Sequence, residues 1–166
     1  YGAFLQAYAL QRTIEDIGFD CELINYDYIK DRTLLGIPWR NINNPIKFCA
    51  SVLKKLVLLK RTKKRTAIMA ESIYNNLLLS KQRYKSAKQL RESLPQYDIY
   101  LTGSDQVWNP TINAQGFETR LLNFVDSSQG ELVSYAASIG LKDFPKEKID
   151  LTRDYLTRFD AISVRE

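Results

Sequence analysis

The chain contains no histidine among its 166 residues. Histidine is the commonest general base near neutral pH and the commonest protein ligand of transition metals. Any chemistry must therefore use carboxylates, hydroxyls, tyrosine or arginine, or be completed by another segment, and we expect no metal site. The two cysteines, Cys21 and Cys49, lack the spacing of a metal-binding or redox motif, so we expect both to be reduced and buried.

Long apolar runs are also missing. No stretch is long enough to span a bilayer, and the first residues do not have the basic and then apolar pattern of a signal sequence. We therefore expect a cytoplasmic protein. An apolar content of 45% with 26% charged residues is ordinary for a globular domain, and the length suits one domain better than two.

Acidic residues are absent from one long segment. Between Arg32 and Ala70 there are ten Lys or Arg residues and no Asp or Glu, and seven of the ten lie in Lys54–Arg65. Apolar spacing predicts a basic helical insert at about 45–79 with one apolar and one cationic face. The cationic face is either a solvated surface or a binding surface. Its partner would be anionic lipid, in a peripheral contact at the inner face of the membrane, or a phosphorylated, lipid-linked sugar acceptor. We expect no nucleic-acid partner, because no aromatic stacking pattern or zinc knuckle accompanies the charge.

Outside this insert, hydrophobic periodicity alternates between helix and strand. A helical stripe runs from Ala3 to Ile17 and is followed by a strand over Phe19–Tyr26, which implies an earlier strand before Tyr1. The alternation predicts an α/β, Rossmann-like domain over 1–166, with a mostly parallel sheet and helices on both faces. Further expected elements are a helix over Ser80–Leu94, strands over Tyr97–Thr102, Leu121–Val125, Leu132–Ala137 and Phe159–Val164, and a helix that begins at Phe144.

A polar loop follows one of these strands. The segment Asp98–Pro110 reads DIYLTGSDQVWNP, in which Gly103 ends the apolar run. Loops at the carboxyl ends of parallel strands are the usual place for ligands in open α/β sheets. Asp105 could act there as a general base on a hydroxyl or hold it by hydrogen bonds. The alternative is structural, with Ser104 and Asp105 capping nearby amides and Trp108 packed in the core.

Three other places could contribute to the same site. Ser138 follows a strand end, and Arg165 with Glu166 follows another, where Arg165 could bind a carboxylate or phosphate. The alternative for that pair is a surface ion pair of little energetic value. Tyr1 and Gly2 open the first helix, whose unpaired N–H groups could admit an anion, or whose small residues could permit close packing on a sheet.

Four blocks of sequence carry a family resemblance. They are YGAFLQAYALQ at the start, GSDQVWN at 103–109, SYAASIG at 134–140 and AISVRE at 161–166. In this order and spacing they resemble the amino-terminal half of the polysaccharide pyruvyl transferase family. The resemblance implies a fragment of a two-domain protein, similar to the amino-terminal domain of a GT-B-like fold without its first strand. It also implies a missing carboxyl-terminal domain that holds most donor-site residues.

The resemblance implies transfer of a pyruvyl group from phosphoenolpyruvate, with no cofactor, to a sugar of a cell-surface polysaccharide or its precursor as a ketal. The fragment would form the acceptor side of the cleft, facing a sugar or lipid-linked glycan, and we expect it to be inactive alone. The alternatives are a GT-B glycosyltransferase that uses a nucleotide sugar and a non-catalytic domain that binds anionic lipid. The expected site residues are Asp105 as the catalytic group and, for substrate binding, Tyr1, Gly2, Gly103, Ser104, Gln106, Trp108, Asn109, Ser138, Arg165 and Glu166.

Overall fold

The computed structural model describes residues 2–26, 67–68, 71, 75–112, 116–126 and 128–165. The chain divides into two compact units, one made of Tyr1–Tyr28 with Leu79–Glu166 and the other of Ile29–Leu78. Most of the predicted basic insert at 45–79 lies outside the described residues, so its helices stay a prediction. Within the described ranges, no helix has the length and apolar character needed to cross a membrane.

The first unit opens with helix α1, Gly2–Asp16, in agreement with the helical stripe. Its burial differs from the expectation, because Ile17 at the end of the stripe is 66% exposed while Gln11 is buried. The Gln11 Nε2 donates a hydrogen bond of 3.0 Å to the carbonyl oxygen of Cys21. This polar contact, rather than the apolar stripe alone, joins α1 to the segment that follows it.

The sheet of this unit has three parallel strands in the order β1-β2-β3: β1 is Ile99–Gly103, β2 is Glu131–Ala137 and β3 is Ala161–Val164. Between β1 and β2, Tyr100 lies opposite Leu132. Between β2 and β3, the register shifts after the pair Ser134–Ile162 and before the pair Ala137–Val164. The prediction of an α/β fold with a parallel sheet is therefore confirmed.

One face of the sheet carries the core. Tyr100 and Leu132 share this face and pack with Leu90, while Ala137 packs with Trp108 in a second cluster. The opposite face carries Ile99, Leu101 and Tyr135, which are 46%, 36% and 52% exposed. The placement of helices on both faces stays a prediction. The helices after α1 in this unit are α2, Ala87–Ser93; α3, Phe117–Arg120; a 3-10 helix, Lys146–Lys148; and α4, Ile149–Leu156.

The prediction of a strand over Leu121–Val125 was wrong. The segment follows α3 as a series of tight turns, in which the amides of Leu121, Leu122 and Val125 each bond to a carbonyl three residues earlier. Its apolar side chains are nevertheless buried. An uninterrupted apolar run can be buried by a compact turn as well as by a strand, and here the local hydrogen bonds favour the turn.

The predicted helix over Ser80–Leu94 is shorter than expected. It begins only after Ser86, whose side chain accepts a hydrogen bond of 3.2 Å from the amide of Gln89 as an N-cap. Tyr84 instead forms an isolated parallel bridge with Tyr26. The strand predicted over Phe19–Tyr26 is thereby reduced to two isolated bridges to the segment before α2, the second joining Leu23 to Leu79.

Candidate functional site

The candidate site begins at the carboxyl end of β1, where Gly103 is followed by the polar loop. The backbone of Gly103 has φ of +142°, a region that side chains disfavour. A Cβ at this position would overlap the carbonyl oxygen of Tyr135 in β2. Glycine is therefore required here by both conformation and space, and it lets the loop leave the sheet close against the neighbouring strand.

Ser138 ties this loop to the end of β2. Its amide donates a hydrogen bond of 3.0 Å to the carbonyl oxygen of Asp105, and its carbonyl accepts one of 3.2 Å from the amide of Trp108. The amide of Arg165, just after β3, donates to the carbonyl of Ala137 at 2.9 Å. The three strand ends therefore lie at one edge of the sheet, as parallel topology requires.

The far half of the loop is organised by Asn109, which is 3% exposed. Its Nδ2 donates to Gln106 Oε1 at 3.3 Å, and its Oδ1 accepts from the amide and the hydroxyl of Thr111 at 2.9 and 2.7 Å. Gly140, with φ of +62°, lies against the Gln106 side chain, which occupies the space a Cβ would need. The side chain of Asn109 thus bonds to the loop and to the residue that follows it, which indicates a shaping role.

Arg120, at the end of α3, also holds the loop, a role that was not predicted from the sequence. Its Nε donates to the carbonyl of Val107 at 2.6 Å and its Nη2 to the carbonyl of Asn109 at 3.1 Å. Its own carbonyl accepts a hydrogen bond of 2.9 Å from the hydroxyl of Thr102 in β1. No sequence signal marks this role, because the contacts depend on how the α3 segment folds back onto the loop.

Trp108 lies in the core beneath the loop. The residue is 3% exposed and its ring meets Phe159 edge to face with centroids 6.2 Å apart. Among the described residues its indole N–H has no hydrogen-bond partner. The indole therefore supports the loop from below by packing, and its faces are not presented to solvent.

The polar side chains left at the surface of the loop are Ser104, Asp105 and Gln106, each partly exposed. Asp105 is the only carboxylate between Gly103 and Asn109, and this group makes no side-chain hydrogen bond to another described residue. A carboxylate in this state can accept hydrogen bonds from ligand hydroxyls or take a proton from one. The arrangement therefore presents one acidic acceptor on a loop whose backbone is fixed.

Three of the predicted site residues lie at the two ends of the chain. Gly2 is exposed at the start of α1, with no atom within 4 Å of the place a Cβ would take, while Tyr1 and Glu166 lie outside the described residues. Across the described segments, no group of three or more Cys, Asp and Glu side chains could hold a metal ion.

A strongly shifted titratable group lies before β1, at the opposite end of the strand from the loop. The pKa of Tyr97 is raised well above its usual value, mainly by burial and next by a hydrogen bond to Glu22. The Tyr97 hydroxyl donates to Glu22 Oε1. This pair joins the segment after α1 to the start of the sheet and is a structural contact.

Fold and loop together define an α/β protein with a candidate ligand site at the carboxyl edge of a parallel sheet. The chain belongs to the polysaccharide pyruvyl transferase family, whose sequence model matches residues 1–166, the whole chain. The family resemblance carried by the four sequence blocks is thus confirmed. Comparison with curated proteins and with solved structures gives no match.

Proposed function

We propose that the protein transfers a pyruvyl group from phosphoenolpyruvate to a pair of hydroxyls on a sugar of a cell-surface polysaccharide or its precursor. Family membership supports the reaction class. The observation that supports a role for this domain is the Asp105 carboxylate, which is partly exposed and has no hydrogen-bond partner among the described side chains. It stands on a loop fixed by Ser138 and Arg120.

The chemistry requires groups that move protons. The methylene carbon of phosphoenolpyruvate gains a proton and becomes a methyl group, and the bond from the central carbon to the phosphate oxygen breaks. Two new bonds form between that carbon and the two sugar oxygens, which lose their protons. One proton is accounted for by the methyl group and the other by the released inorganic phosphate. A carboxylate near an attacking hydroxyl provides the general base for such a step.

In this proposal Asp105 accepts the proton of an acceptor hydroxyl, or orients that hydroxyl by a hydrogen bond. Ser104 and Gln106, the other partly exposed polar side chains of the loop, contact further hydroxyls of the sugar. Arg165, which follows β3 at the same edge, binds a carboxylate or phosphate. The domain thereby forms the acceptor side of a cleft in a cytoplasmic, GT-B-like enzyme that uses no cofactor.

The acceptor could be carried on a lipid, and Lys54–Arg65 would then place the enzyme at the inner face of the membrane. This segment lies outside the described residues, and its sequence alone supports the proposal, with seven basic residues and no acid. Neutralising Lys60, Arg61, Lys63, Lys64 and Arg65 should reduce binding to vesicles that contain anionic lipid and leave transfer to a soluble sugar unchanged.

The test is donor-dependent transfer by the full-length protein. The protein is incubated with phosphoenolpyruvate or a nucleotide sugar and a panel of nucleotide-linked and lipid-linked sugars, and products are identified by mass spectrometry and NMR. A pyruvate ketal with equimolar phosphate, formed only with phosphoenolpyruvate, is the expected result. A glycoside formed from the nucleotide sugar would establish the glycosyltransferase alternative. No product with either donor, together with binding to anionic vesicles, would favour the non-catalytic domain.

A further inference from the structure

The guanidinium of Arg120 spans two carbonyls of the loop that presents Asp105. We propose that Arg120 is a positioning residue for Asp105, acting through the backbone of the Val107–Asn109 segment. The catalytic consequence of this inference depends on the pyruvyl transfer proposed above. The structural part, that Arg120 holds the loop, stands on the geometry alone.

The contacts of Arg120 use the shape of its side chain. Nε and Nη2 donate to the carbonyls of Val107 and Asn109, on either side of Trp108. A planar guanidinium can meet two acceptors at once, whereas a lysine ammonium is a compact group on a flexible stem. Because Thr102 also donates to the Arg120 carbonyl, one residue connects the end of β1 with the far half of the loop.

The loop is held from two sides. The backbone of Ser138, just after β2, bonds to the carbonyl of Asp105 and to the amide of Trp108. The indole of Trp108 packs in the core but its N–H makes no hydrogen bond with the described residues. Of the described side chains outside the loop, Arg120 is the one that donates to the carbonyls of Val107 and Asn109.

Loss of the guanidinium should let the Val107–Asn109 segment relax. The carbonyls of Val107 and Asn109 would lose their donors, and the turn closed by the Val107 amide on the Asp105 carbonyl would shift with them. A displacement of a reacting group by about 1 Å costs on the order of 10²-fold in rate. Arg120 therefore affects catalysis through the position of Asp105, without contact with the substrate.

Hydrogen exchange tests the holding role without any assay of activity. In the full-length protein, Arg120→Ala should accelerate exchange of the amides of Trp108 and Asn109, which bond to Ser138 and Gln106. The matched control is Arg158→Ala, since the Arg158 guanidinium also donates to a backbone carbonyl, that of Val125, and the residue is likewise half-buried. Unchanged exchange in Arg120→Ala, or equal acceleration in the control, would overturn the inference. If Arg120→Ala does not fold, Arg120→Lys takes its place.

Kinetics test the link to Asp105. Arg120→Ala should lower kcat for pyruvyl transfer on the order of 10²-fold, and free guanidinium should restore part of the loss. Added to Asp105→Asn, the same change should cause little further loss, because residues that act as a unit are not additive. If the loss of kcat in the double variant equals the product of the two single losses, the positioning role is overturned. If the wild type forms no ketal on any acceptor, the proposed function fails, and the exchange experiment alone decides whether Arg120 holds the loop.

Discussion

The amide of Ser138 donates a hydrogen bond of 3.0 Å to the carbonyl oxygen of Asp105. This bond joins two of the sequence blocks that carry the family resemblance, GSDQVWN and SYAASIG, at the ends of β1 and β2. The two blocks therefore form one structural unit, in which the second fixes the backbone of the first. Substitutions in either block should change the same site.

Replacement of Gly103 by alanine tests the close approach of β1 and β2. The Cβ of Gly103→Ala would overlap the Tyr135 carbonyl, so we expect a loss on the order of 3 kcal/mol in the free energy of unfolding. In Gly140→Ala the new Cβ meets the flexible end of Gln106, and the positive φ should dominate at a cost of roughly 1–2 kcal/mol. Urea denaturation measures both. A Gly103→Ala protein as stable as Gly140→Ala would contradict the geometry.

The burial of Trp108 predicts unequal effects for two substitutions. Trp108→Ala removes a ring that packs against Phe159 and should cost about 3–5 kcal/mol. Trp108→Phe keeps an aromatic ring and breaks no hydrogen bond to a described residue, so its cost should be well below that of alanine. Thermal and urea denaturation provide the comparison. A large rise in the acceptor KM of Trp108→Phe at unchanged stability would instead indicate contact with the sugar.

Tyr97 should give the protein a specific sensitivity to alkaline pH. Burial and the hydrogen bond to Glu22 raise the pKa of Tyr97 above its usual 10.0 in the folded protein, so the unfolded chain loses this proton first. The stability contributed by Tyr97 is complete below about pH 10 and falls as the pH rises toward the folded value. Burial also raises the pKa of Tyr84, but Tyr84 is unchanged when Tyr97 alone is substituted, so a comparison with the wild type isolates Tyr97.

Tyr97→Phe removes this contribution. At neutral pH the variant should lose about 1 kcal/mol with the hydrogen bond, and its free energy of unfolding should fall less steeply above pH 10 than that of the wild type. Denaturation curves at several pH values measure the difference. Parallel profiles for the two proteins would show that the Tyr97 hydroxyl is not selectively stabilised in its neutral form.

Thr102 should contribute through its hydroxyl. Its Oγ1 donates to the Arg120 carbonyl at 2.9 Å, and the residue is 7% exposed. Thr102→Val keeps the shape and leaves this carbonyl without the hydroxyl donor, which should cost about 1–2 kcal/mol. Thr102→Ser, which retains the hydroxyl, serves as the control and should recover most of the hydrogen-bond contribution. Equal losses in the two variants would assign the effect to packing of the methyl group.

Local pattern predicted the elements whose signal is strong within a few residues. Helix α1 followed from its stripe, and β1 and β2 from apolar runs bounded by Gly103 and by Ser138. The run at Leu121–Val125 was wrongly assigned, because several consecutive apolar residues do not distinguish a strand from a buried turn.

The site was predicted in part. The polar loop could be found because Gly103, Asp105 and their neighbours are contiguous in sequence. Arg120 could not be found in this way, because its role depends on hydrogen bonds to backbone carbonyls. Every residue has a backbone carbonyl, so the sequence does not show which of them an arginine will reach. The burial of Trp108 was likewise an open alternative until its packing against Phe159 was known.

The most direct test of the central claim compares two aspartates at opposite ends of β1. Phosphoenolpyruvate-dependent ketal formation is measured for the full-length protein, for Asp105→Asn and for the control Asp98→Asn, which precedes β1 at the edge away from the loop. Our account predicts a loss of about 10²–10⁴-fold in kcat for Asp105→Asn and a change of only a few-fold for Asp98→Asn. Equal activity of the two variants would contradict a catalytic role for the loop.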